Sequence, residues 1–158
     1  QEELLTASQQ YYATNATNFW SDLIIKEKEL GERYIGNTGN VHWLTCFAPK
    51  GRLLDVQAIF EQRDSFSSIS EQELRDFATG LTKVLRYMSD LKFYSFNLFI
   101  ISGIAGDNYF WTQCRIIPRL TFGIGTSDCC FMELIADSHY TVIAPEYSCQ
   151  ELKKYFKD

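Results

Sequence analysis

Residues 70–91, SEQELRDFATGLTKVLRYMSDL, and residues 93–101, FYSFNLFII, decide the fold. The first stretch opens on a capping box. Ser70 takes the N-cap position, and Glu73 stands three residues on to return the hydrogen bond. Leu74, Phe77, Leu81, Val84, Leu85, Met88 and Leu91 then recur at steps of three and four, which gathers them on one helical face. The spacing predicts one amphipathic helix over about residues 71–90, with Leu74, Phe77, Leu81, Val84 and Met88 buried against a sheet. Gly80 inside it costs about 1 kcal/mol relative to alanine, so it is expected where the helix comes close to that sheet. The second stretch is almost wholly apolar or aromatic, and so predicts a central strand covered on both sides.

Towards the C-terminus, SGIAGDN (102–108) is a loop and YFWTQCRIIP (109–118) the next strand. Alternation puts Phe110, Thr112, Cys114 and Ile116 on one face and Trp111, Gln113, Arg115 and Ile117 on the other. RLTFGIGTSD (119–128) is turn-like, and Cys129 to Ala136 reads as a further strand. SHYTVIAP (138–145) is a short strand or a turn. Pro145 suits the first turn of a last helix over 145–157, docked by Leu152, Tyr155 and Phe156.

Towards the N-terminus, residues 8–30 read as helix, with Gly31 as a C-cap. Residues 34–48 form a hairpin turning at Asn37 to Asn40, where Gly39 can take a positive φ. Residues 51–66, GRLLDVQAIFEQRDSF, lack a clean period. They are expected to be irregular, with one short strand near 55–60, because Val56 and Ile59 are not evenly spaced. The order of elements gives an α+β domain, a mainly antiparallel sheet with packed helices.

Composition narrows the function classes. The 158 residues fit one domain, and aromatic residues make up 15% of them, favouring a sheet or a sizeable interface. Fifteen basic against twenty acidic residues leave a charge of -5, which argues against nucleic-acid and membrane partners. The five cysteines are odd in number and form no CxxC pair, so reduced, buried thiols in a cytoplasmic setting are expected. The opening QEELLTASQQYY has no basic region followed by an apolar one and does not read as a signal peptide.

Seven stretches in order carry a family resemblance: ELGERYIGN (29–37), HWLTCFAPKG (42–51), SEQELRDFATGLTKVLRYM (70–88), YSFNLFIISG (94–103), YFWTQCRIIPRL (109–120), FMELIADSHYTVIAPE (131–146) and the closing helix. Together they resemble the C-terminal half of the galactose-1-phosphate uridylyltransferases, which are built from two tandem HIT-like halves. The resemblance covers about residues 18–156. It implies a HIT-like domain over 18–158, preceded by an N-terminal extension over 1–17.

The departures matter as much. In that family the strand before the proline commonly carries a His-x-His pattern. The matching positions here are Trp111, Gln113 and Arg115. The family's nucleophilic histidine sits in a His-Pro-His motif in the other half, and this chain has no such motif. No catalytic residue, metal site or cofactor is therefore implied. The two histidines, His42 and His139, each stand alone and read as structural. His139 is the better placed of them to approach the Trp111–Arg115 strand.

The candidate ligand-binding residues are Gln113, Arg115, Arg119, Asn108 and Trp111. A guanidinium fork with an amide can hold a phosphate or diphosphate. Against this, Arg119 could simply pair with Asp107 or Asp128 or face water, and Cys114, facing away, reads as core. The glycines of the 102–108 loop could offer N–H groups to an anion, or could simply serve a sharp turn. The resemblance and its departures imply a non-catalytic HIT-like domain. It would bind a nucleotide, nucleotide-sugar or sugar phosphate, or act as partner half of a nucleotidyltransferase-like protein, in a homodimer or with a second HIT-like half. The alternative is an active nucleotide-sugar nucleotidyltransferase or phosphorylase whose nucleophile lies in an N-terminal half or a partner subunit.

Overall fold

Trp43 and Gly80 fix how sheet and helix meet. In the computed structural model, which describes residues 2–119 and 139–157, a Cβ on Gly80 would stand 2.2 Å from the Trp43 ring. Only glycine lets the helix approach so far. That helix, α3 (Glu71–Asp90), starts on the expected capping box, Ser70 with Glu73. It lays Val84 and Met88, both fully buried, onto the sheet, with Phe77, Leu81 and Leu85 partly buried beside them. Leu74 departs from expectation. It is 41% exposed, and the buried side chain of the first turn is instead Glu73, which caps the helix and pairs with Arg63 at 2.8 Å.

The sheet has five described strands: β1 (Tyr34–Thr38), β2 (Val41–Thr45), β3 (Val56–Phe60), β4 (Phe96–Ile101) and β5 (Gln113–Pro118). Their order is β1-β2-β3-β5-β4, and every neighbouring pair is antiparallel. The fold is α+β with a mainly antiparallel sheet, as expected. The β1–β2 hairpin turns where the sequence places it, with Gly39 at φ 56°.

Two strands exchange the roles expected of them. β3 is central and wholly buried. Val56, Ala58 and Phe60 face α3, while Ile59 packs on the other side. Its uneven apolar spacing reflects two covered faces rather than irregular chain. β4, expected to be central, stands at the end of the described sheet, with Phe96, Leu98, Phe99 and Ile100 each 37–40% exposed. A continuous apolar run marks a strand whose two faces are both apolar, and does not say what covers them.

The last helix, α4 (Pro145–Lys153), carries Pro145 in its first turn and buries Leu152 and Cys149 against the α3 side of the sheet. Phe156 reaches the Trp43 ring, with centroids 5.8 Å apart. Residues 139–144 are turn and coil, which decides between the two forms allowed for that stretch. The expected turn at 120–128 and strand at 129–136 lie outside the described residues.

The N-terminal helix is two helices, α1 (Glu2–Asn15) and α2 (Phe19–Leu30). Ala16 at φ 57° breaks the run, and the Asn18 side chain caps α2 by accepting from the Trp20 N–H at 2.9 Å. Gly31 ends α2 in the left-handed conformation, donating to the Glu27 carbonyl at 3.0 Å. Trp20 and Ile24 pack with Leu44, Ile59 and Phe110 on the sheet face opposite α3. Leu4 and Leu5 of α1 join that cluster. The sheet is thus covered by α3 and α4 on one side and by α1 and α2 on the other. No described helix is long and apolar enough to cross a membrane.

Candidate functional site

Register brings polar side chains together beneath α2. Gln57 of β3 lies opposite Arg115 of β5, and Ile59 opposite Gln113. Paired residues share a face, so Gln57, Gln113 and Arg115 all point to the α2 side. The Gln57 side-chain amide donates to Oε1 of Gln113, a diagonal contact across the two strands. The Arg115 guanidinium grips Asp55 with both Nε and Nη2, and the Asp55 side chain is wholly buried. Asp55 also accepts from the Lys50 backbone N–H at 2.7 Å and from the Cys46 thiol at 3.3 Å.

Of these groups, Gln57, Gln113, Arg115 and Cys46 line a cleft of about 330 Å³ between the sheet and the N-terminal helices. Leu4, Phe19 and Leu23 line its helical wall, Leu44 and Ile101 its sheet wall, and Phe47 the β2–β3 loop. Four lining residues carry a buried polar atom with no hydrogen-bond partner: Trp20 Nε1, Glu27 Oε2, Gln113 Nε2 and Thr45 Oγ1, the last set apart beside Cys149 of α4. The other Glu27 oxygen accepts from Arg33 Nε at 2.8 Å.

The expected ligand-binding set divides. Gln113 and Arg115 share this cleft. Asn108 and Trp111 line a separate hollow of about 360 Å³ with Asn18 and Asp64. There the Asn108 side-chain amide donates to the Tyr12 hydroxyl at 3.0 Å, and the Asn108 backbone carbonyl accepts from the Asn18 side-chain amide. Arg119 follows β5 and is exposed, its backbone N–H bonded to the Ser95 carbonyl. It lines neither hollow. In the 102–108 loop, the Gly106 N–H at φ 95° is taken by Asp64 at 2.6 Å, which helps hold that carboxylate below its ordinary range. This loop binds an anion, but the anion is the chain's own.

His42 is held in the structure as a strut. It is buried, with Nδ1 at 2.9 Å from the Tyr34 hydroxyl and Nε2 at 2.9 Å from Glu61. Burial holds its pKa below the ordinary value, with Glu61 partly opposing. His139 is exposed and borders a hollow of about 300 Å³ with Ala48, Pro49, Lys50 and Thr141. Ala48 borders both this hollow and the Gln113–Arg115 cleft. Cys46 lines the cleft, but burial and then Asp55 push its thiol well above the ordinary range. Cys114 faces the α3 core as expected, pushed up to about 12 by burial. Among the described residues, no three His, Cys, Asp or Glu side chains gather as metal ligands.

Sequence reading missed Asp55, Gln57, Trp20 and Glu27. Asp55 and Gln57 had a usable signal: two polar residues at alternate positions of an apolar run, matching Gln113 and Arg115 in spacing. Trp20 and Glu27, on α2, carried no such sign.

No protein-family model matches the chain. An uncharacterized protein of Archaeoglobus fulgidus is 30% identical over 152 residues, which span 94% of this chain and 44% of that protein. Two solved uridylyltransferase structures, one of them a mutant, cover 99% of this chain. Their TM-scores are 0.80 and, for the mutant, 0.79, at 16% identity. The chain spans 50% and 52% of those two chains, so it reaches about half the length of the proteins it matches. The chain thus shares the fold of about half of a uridylyltransferase chain.

Proposed function

We propose that this chain is a non-catalytic, HIT-like half of a nucleotidyltransferase-like protein, and that it binds a nucleotide, nucleotide-sugar or sugar phosphate at the Gln113–Arg115 cleft. One observation carries the reading. The cleft holds a buried amide with an unpartnered N–H, yet among the described residues its lining contains no histidine, and its thiol is held protonated. Attack on phosphorus by a side chain needs an activated nucleophile. Arg115 stays protonated and is held by Asp55, so it can order a ligand but cannot attack. Asn108 and Trp111, in the neighbouring hollow, and Arg119, beyond the strand, would serve only the outer parts of a longer ligand.

The test pairs binding with turnover. The purified chain is melted in the presence of UDP-, ADP- and GDP-sugars, then assayed with each sugar nucleotide and galactose 1-phosphate. A raised melting temperature without product supports the proposal, since a ligand that binds only the folded state stabilises it. Turnover by the purified chain rejects it.

A second reading rests on length. Because the chain reaches about half the length of its matches, a nucleophile in another half or subunit could complete an active enzyme. The exposed apolar side chains of β4 favour such a covering partner, whether a second half or a second copy.

A further inference from the structure

We infer that the cleft takes the uncharged, planar ring of its ligand, a nitrogen heterocycle of the nucleobase kind, and leaves any phosphate outside; this rests on the reading of the chain as a nucleotide-binding half. Trp20 and Glu27 are each 4% exposed and Gln113 is 1% exposed, and each leaves one polar atom unsatisfied. Such an atom costs about 1–3 kcal/mol when buried without a partner. Two of the three, Trp20 Nε1 and Gln113 Nε2, are donors. The third, Glu27 Oε2, is an acceptor. A ring edge carrying both carbonyl or ring-nitrogen acceptors and an N–H donor answers all three. A phosphate offers acceptors alone and would meet the Glu27 carboxylate.

Charge points the same way. The Arg115 guanidinium is matched by the wholly buried Asp55 carboxylate. Arg33, the cation beside Glu27, is bonded to Glu27, Glu32 and Glu146. Among the described residues, the interior therefore holds no surplus positive charge to draw an anion in.

Shape selects a flat ring. Phe47 lines the cleft and is 74% exposed, and the Arg33 guanidinium lies 5.0 Å from its centroid. An aromatic face backed in this way is a stacking platform. The volume, about 330 Å³, lies at the small end of the range for ligand pockets. Through Ala48 the cleft adjoins the hollow bordered by Lys50 and His139, which gives the phosphates a place beyond the ring.

The experiment is calorimetric titration of the 158-residue chain with adenosine, guanosine, cytidine and uridine, with their 5′-diphosphates, with inorganic pyrophosphate, and with methyl glucoside and methyl galactoside. At least one nucleoside is expected to bind and pyrophosphate is not. Phe47→Ala should weaken that nucleoside by about tenfold or more, the loss expected when a base–aromatic stack is removed. Because Phe47 is exposed, its replacement should leave the melting temperature of the unliganded chain unchanged. Binding of a nucleoside diphosphate while every nucleoside fails overturns the inference and leaves the nucleotide-binding reading standing. So does binding of pyrophosphate alone. Binding of the glycosides in place of the nucleosides overturns it too, and failure of every probe removes both readings.

Discussion

The Arg115 guanidinium holds the wholly buried Asp55 carboxylate with two of its nitrogens, one at 3.0 Å, from the adjacent strand. A planar fork on a carboxylate is the strong form of this contact. It makes Arg115 a structural residue as well as a cleft residue, and that changes what its removal does.

Arg115→Ala should therefore destabilise the fold, not only the site. Stranding a buried carboxylate costs about 3–5 kcal/mol. Removing both charges together, as Arg115→Met with Asp55→Asn, should cost less than the single change. Urea melts of the variants check this ordering. Equal losses would show that Asp55 is not stranded by the loss of its partner.

Gly80→Ala should destabilise although alanine is the better helix former. The new methyl would meet the Trp43 ring at 2.2 Å, and crowding of a packed core costs about 1–3 kcal/mol. A thermal melt at or above that of the parent chain would contradict the close approach.

Met88→Ala should cost about 2–5 kcal/mol, as expected for a fully packed side chain. Leu81→Ala should cost less, since Leu81 is only partly buried. Leu74→Ala, at a position 41% exposed, should fall within about 0.5 kcal/mol of neutral. Denaturant midpoints of the three variants test the burial gradient along α3.

His42 gives a pH dependence of definite sign. Its pKa in the folded chain lies below the ordinary 6.5, held there by burial against the partial pull of Glu61. The unfolded chain takes up the proton first as pH falls. The stability that comes from a neutral His42 is thus complete above about 6.5 and is lost as pH drops from there through the folded value. NMR titration of the ring should give a midpoint below 6.5. A higher midpoint would mean that Glu61 outweighs burial.

The legible parts of the sequence were those with a local cause. The Ser70–Glu73 box, the Gly31 cap, the turn at Gly39 and Pro145 each act within a few residues, and each stands where expected. The places of β3 and β4 were not legible, because an apolar run does not say which strands will flank it. The site was half legible for the same reason. Alternation alone put Gln113 and Arg115 on one face. Their contacts with Gln57 and Asp55 depend on a register between strands more than fifty residues apart in the chain. The α2 side chains that close the cleft, Trp20 and Glu27, meet the strand only in the folded chain.

Binding in the cleft without turnover is tested most directly by NMR on the ¹⁵N-labelled chain, titrated with UDP-glucose, ADP-glucose and GDP-mannose while phosphorus spectra follow the ligand. For at least one of them, the Trp20 indole N–H and the Gln113 side-chain amide should shift. The Trp43 indole N–H, already bonded to Thr38 at 2.9 Å, should stay in place, and the phosphorus signals should remain those of the intact sugar nucleotide. Unmoved Trp20 and Gln113 resonances with all three ligands, or the appearance of free nucleotide or sugar phosphate, would contradict the account.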